Sequence, residues 1–73
     1  MIRRKIKLDL DNKLNELKIN LENNYKDLAH DALKELQGAL EEYKESGELK
    51  EKDYRKYRQL TDTYAMRMQN YHH

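Results

Sequence analysis

The apolar residues between positions 10 and 43 keep a single phase. Leu10, Leu14, Leu17, Leu21, Tyr25, Leu28, Ala32, Leu36, Leu40 and Tyr43 follow one another at intervals of three or four. On a helix of 3.6 residues per turn that spacing lays them along one side. The pattern stops only at "KESGELKEKD", where Gly47 follows Ser46 and can take the left-handed conformation that ends a helix. Beyond it Tyr54, Tyr57, Leu60, Tyr64, Met68 and Tyr71 form a second stripe, with Arg55, Lys56, Arg58, Gln59, Asp62 and Arg67 mostly off it. The chain is therefore read as all-α, in one small helical domain. A long amphipathic helix over about residues 8–45, a turn at 46–50 and a shorter tyrosine-rich helix over about 51–71 pack as an antiparallel hairpin.

Length makes that hairpin incomplete. A chain of 73 residues without cysteine has no disulfide to staple it, so it needs close helix packing or a partner chain. A helix over residues 8–45 would be ~55 Å long, and the second helix, at ~30 Å, reaches back only to about Tyr25. Leu10, Leu14, Leu17 and Leu21 then need another cover, since burying each is worth roughly 1.5–3 kcal/mol. In one solution the helix runs on and a second chain covers the seam, giving a homo-oligomer, a dimer foremost. In the other the chain breaks at Asn23-Asn24, Asn24 caps a new helix with Asp27 in its first turn, and three helices form within the chain. The unbroken phase and the absence of Gly or Pro there favour the oligomer. On this reading Leu10, Leu14, Leu17 and Leu21 form the self-association seam, with Leu8 and Ile19 a second contact face on the opposite side. The alternations in "KIKLDL" and "LKINL" also admit a β-hairpin, but Leu, Lys, Asn and Asp are poor strand formers.

Charge runs basic, acidic, basic along the chain. Arg3, Arg4, Lys5 and Lys7 open it without an acid, acids outnumber bases from 8 to 49, and bases outnumber acids from 50 onward. Acidic and basic helices lying side by side account for this. An anion-binding surface built from Arg3, Arg4, Lys5, Lys52, Arg55 and Arg58 is the alternative. The tyrosines of the last helix share one stripe while most of its arginines lie off it. That is the pattern of a buried seam rather than of a base-stacking surface, where both occupy one exposed face.

Catalytic and metal chemistry find little to work with. The stretch from Asp9 starts like a calcium loop but has Lys13, Leu14 and Asn20 where an acidic or amide ligand, a glycine and the bidentate acid belong. His72 and His73 are adjacent, so on a helix they point about 100° apart, and His30 stands alone. The lone serine, Ser46, is explained by the helix stop, and Gly38 and Gly47 make no phosphate loop. No nucleophile, base and orienting group assemble. The sequence thus implies no catalytic residue, no cofactor, no metal and no small-molecule substrate. No apolar run approaches the ~18 residues of a membrane span, and the basic start lacks the apolar core of a signal peptide. The expected protein is soluble and cytoplasmic: a non-enzymatic scaffold or adaptor that works by helix–helix association, with non-specific nucleic-acid binding as the alternative.

Overall fold

The computed structural model describes residues 3–69, which form three helices: α1 (Arg4–Glu22), α2 (Lys26–Glu45) and α3 (Glu51–Gln69). The expected continuation to about residue 71, with Tyr71, and the His72-His73 pair lie outside the described residues. Both segments weighed as strands, 5–10 and 17–21, are helical within α1.

The expectation of one helix over residues 8–45 is corrected at Asn23-Asn24. Asn23 ends α1, and Asn24 takes a left-handed conformation with φ 62°. Three amides then cap the free carbonyls of the last turn. Asn23 N–H donates to Ile19 O at 3.0 Å, Asn24 N–H to Leu21 O at 3.1 Å, and Tyr25 N–H to Asn20 O at 2.9 Å. The last two bonds are those of a Schellman cap, which asparagine can serve when no glycine is present. The asparagine expected to open α2 therefore closes α1 instead, and Tyr25 occupies the N-cap position of α2 without a side-chain cap. At the second turn Gly47 has φ 82°, Ser46 Oγ donates to Tyr43 O at 3.0 Å and Leu49 N–H reaches the same carbonyl at 3.1 Å. The first turn of α3 is set by Tyr54 N–H on Lys50 O at 2.8 Å.

The break folds α1 back along α2, and α3 returns along α2 from the other end. The longest dimension is 40 Å, too short for a helix of ~55 Å. Tyr43 Oη donates to Asp9 at 2.6 Å, bringing the start of α1 beside the end of α2. Tyr57 Oη donates to Asp11 at 2.9 Å, and Arg3 pairs with Glu48 at 3.8 Å. α1 and α3 therefore run parallel to each other and antiparallel to α2. One core joins all three: Ile6, Leu10 and Leu17 from α1, Ala29, Ala32, Leu33, Leu36 and Leu40 from α2, Leu49 from the turn, and Tyr54 and Tyr57 from α3. Leu14 and Leu21 pack against it partly buried.

Two details depart from the stripes. Tyr25 and Leu28, which carry the phase across the break, stay exposed, while Ala29 and Leu33 take the buried face. In α3 Leu60 is partly exposed and Thr61 is fully buried, its Oγ1 donating to Tyr57 O at 2.7 Å. That bond to the preceding turn satisfies the hydroxyl, so its burial carries no unpaired polar group.

A left-handed Asn24 and a mid-helix Asn24 predict opposite responses to mutation. In the observed turn Asn24→Gly leaves stability equal or raises it by about 0.5 kcal/mol, and Asn24→Ala costs about 1 kcal/mol. In a continuous helix alanine is the best of the three and glycine the worst. Urea unfolding of the three proteins gives the order directly, and alanine ranking first would contradict the break.

Candidate interaction surfaces

Tyrosine hydroxyls tie the helices together at the rim of the core. Tyr43 on α2 and Tyr57 on α3 donate to the α1 carboxylates of Asp9 and Asp11. Tyr54 on α3 donates to Glu41 on α2 at 2.5 Å. Each ring is buried or half-buried, and its hydroxyl ends on a carboxylate of a neighbouring helix. Lysines on the preceding or following turn complete two of these pairs: Lys13 meets Asp9 and Lys7 meets Asp11, both at 2.9 Å. The Tyr43 hydroxyl first, and then Lys13, hold the Asp9 carboxyl below the ordinary range. Lys7 does the same for Asp11, against an opposing effect of burial that is larger than the further lowering by the Tyr57 hydroxyl. Burial, with the Asp11 carboxylate beside it, pushes the Tyr57 hydroxyl up to about 12.

A groove of about 330 Å³ lies between α1 and α2, lined by Asp9, Lys13, Lys34, Glu35, Glu42 and Tyr43 among others. Its central charges are already matched: Lys13 bonds Asp9 and reaches Glu35 at 3.7 Å. A smaller cavity of about 100 Å³ at the far end is lined by Leu21, Lys26, His30 and Met68. Among the described residues no group of three or more His, Asp, Glu or Cys is placed to hold a metal ion. Likewise, no helix among them is long and apolar enough to cross a membrane.

The residues expected to bind a partner fall into two groups. Leu10 and Leu17 are fully buried within the chain, and Leu14 and Leu21 pack partly buried against the same core. The chain's own α2 and α3 thus cover the seam expected to recruit a second copy. The opposite face remains open: Leu8 is 52% exposed and Ile19 46%. These two are eleven residues apart, about three full turns, so they share one stripe with Asn12 and Asn15 between them.

The expected anion-binding set is not gathered into one surface. Arg3 pairs with Glu48, Arg55 with Glu51 at 3.5 Å, and Arg58 with Glu41 at 3.5 Å and Asp62 at 3.2 Å. Arg58 also donates to the Tyr54 hydroxyl at 2.7 Å. Arg4, Lys5 and Lys52 are exposed, but Lys5 lies on the flank of α1 away from α3. Lys18, which the sequence alone did not single out, is brought to the α1–α3 side together with Lys56 and Arg67 of the basic last helix because those two helices run parallel.

No family model, curated protein or solved structure matches the chain.

The tyrosine–carboxylate bonds set the pH response. The depressed Asp9 and Asp11 values add stability that is present above the ordinary carboxylate range and is lost as pH falls through their lowered values. The raised Tyr57 value adds stability that is complete below the unfolded tyrosine value near 10, and it is lost as pH rises toward about 12. Tyr57→Phe should cost about 1 kcal/mol at neutral pH. It should also flatten the fall of the urea midpoint above about pH 10. Equal alkaline slopes in the two proteins would contradict the Tyr57–Asp11 bond.

Proposed function

We propose that this protein is a non-enzymatic, cytoplasmic helical adaptor that works by helix–helix association, and that its first partner is a second copy of itself. The observation that carries this is the exposed Leu8–Ile19 stripe on the outer face of α1, on a helix whose other face is already buried. α1 is also polar in charge, with Arg4 at its basic start and Glu22 at its acidic end. Laid antiparallel on a second α1, Leu8 of one copy meets Ile19 of the other, and Asn12 meets Asn15. Arg4 of one copy then approaches Glu22 of the other. The match closes on itself, as a two-fold interface requires. A single helix face is at the small end of specific interfaces, so the association is weak and concentration-dependent.

Sedimentation equilibrium over a wide concentration range tests this. The wild-type mass should rise from one chain toward two. Leu8→Lys with Ile19→Lys should stay at one chain with its helical signal intact, since both residues are exposed. Arg4→Glu should weaken the dimer several-fold, and adding Glu22→Arg should restore it. A wild-type mass of one chain at millimolar concentration would overturn the proposal.

A further inference from the structure

We infer that the side of the molecule where α1 and α3 run parallel is a binding surface for single-stranded nucleic acid. This goes beyond self-association and uses a different face. The Tyr57–Asp11 and Arg3–Glu48 contacts fix the register of the two helices. Helical periodicity then places Lys7 and Lys18 of α1 and Lys52, Lys56 and Arg67 of α3 along one side. From Lys7 to Arg67 this side extends roughly 20 Å, the reach of a few nucleotides.

Several features distinguish this side from the rest of the surface. Two of its cations, Lys18 and Lys52, are exposed and carry no ion pair among the described residues, while Lys7 pairs with Asp11 and Lys56 lies near enough to Asp11 to help hold its carboxyl down. With Asp11 and Asp53 as the acids beside Tyr57, the side keeps a surplus of positive charge. Elsewhere Lys13, Arg55 and Arg58 are held by acids. The side between α1 and α2 has the opposite sign, with Asp9, Glu16, Asp31, Glu35 and Glu42 outnumbering Lys5, Lys13 and Lys34. Cations and apolar groups also share an open face here. Leu60 is 39% exposed, and the half-buried Tyr64 ring has the Arg67 guanidinium 5.9 Å from its centroid. Lysines spaced along a shallow face hold phosphates, and a tyrosine edge with a neighbouring arginine gives bases something to stack on. The shared face favours a single strand over a duplex, whose bases are already stacked. It also favours nucleic acid over an anionic membrane, because Leu60 and part of Tyr64 offer little to insert into lipid.

Fluorescence anisotropy with a labelled thymidine 20-mer tests the inference, with inorganic polyphosphate as competitor. Three to four phosphate contacts predict an affinity that falls between about 15- and 60-fold from 50 to 200 mM salt. Lys18→Glu and Lys56→Glu should each weaken binding about 3- to 10-fold, while Lys34→Glu on the opposite side should change it less than about 2-fold. Tyr64→Leu, with its helical signal checked, should weaken the oligonucleotide and leave polyphosphate unchanged. No binding at 50 mM salt would overturn the inference. So would equal losses from Lys34→Glu and Lys56→Glu. Polyphosphate competing as well as unlabelled oligonucleotide, with no effect of Tyr64→Leu, would reduce the surface to a polyanion site and overturn the nucleic-acid reading.

Discussion

The left-handed turn at Asn24 decides where the leucines of α1 go. With Asn24 at φ 62° the chain reverses, and Leu10 and Leu17 are fully buried against α2 and α3. Without that reversal the same leucines would stand in water or wait for another chain, at a cost of roughly 1.5–3 kcal/mol each. The turn itself is cheap. Asparagine tolerates the conformation better than other non-glycine residues, and the three amides at the end of α1 find carbonyls of its last turn. Burial of the seam is the return on a small local strain.

Once α1 is folded back, a highly charged chain still has to pack. It does so by keeping charge at the rim and sending tyrosine hydroxyls out to meet it. Tyr43, Tyr54 and Tyr57 contribute ring area to the interior or its edge, and each ends on a carboxylate of another helix. These bonds fix helix order and register together. The same order separates much of the remaining charge: acids outnumber bases between α1 and α2, and Lys7, Lys18, Lys52, Lys56 and Arg67 come to the side where α1 and α3 run parallel. Acidic and basic helices do lie beside each other, as Arg58–Glu41 and Lys13–Glu35 show. The fold nevertheless leaves a basic side that those pairs do not neutralise.

The helices and their apolar faces were legible in the sequence, and the break at Asn23-Asn24 was legible only as an alternative to a continuous helix. The phase from Leu10 to Tyr43 is carried across Asn23-Asn24 by Tyr25 and Leu28, the two members of the stripe that never enter the core. They are apolar and correctly spaced, so periodicity alone cannot tell them from Ala29 and Leu33, which do the packing. Two adjacent asparagines were the available signal, but they suggested a cap for α2 rather than a left-handed stop for α1. Thr61 gave no signal either, because its burial depends on a bond to the Tyr57 carbonyl that only the folded helix supplies. For the surfaces, Leu8 and Ile19 follow from helical spacing alone. Lys18, Lys56 and Arg67 come together only once α1 and α3 are known to be parallel, and that is a consequence of the same turn.

The most direct measurement is the distance between spin labels at Lys5 and Glu42, with labelled chains diluted into an excess of unlabelled protein so that only distances within one chain are read. Both positions are exposed and tolerate a label. With α1 folded back on α2 the two sites lie near the same end of the helix pair, and the distribution should peak below about 25 Å, given helix axes 8–10 Å apart and the span of the labels. A peak near 55 Å, the length of an unbroken helix between them, would contradict the fold and return the leucine seam to an interface between chains.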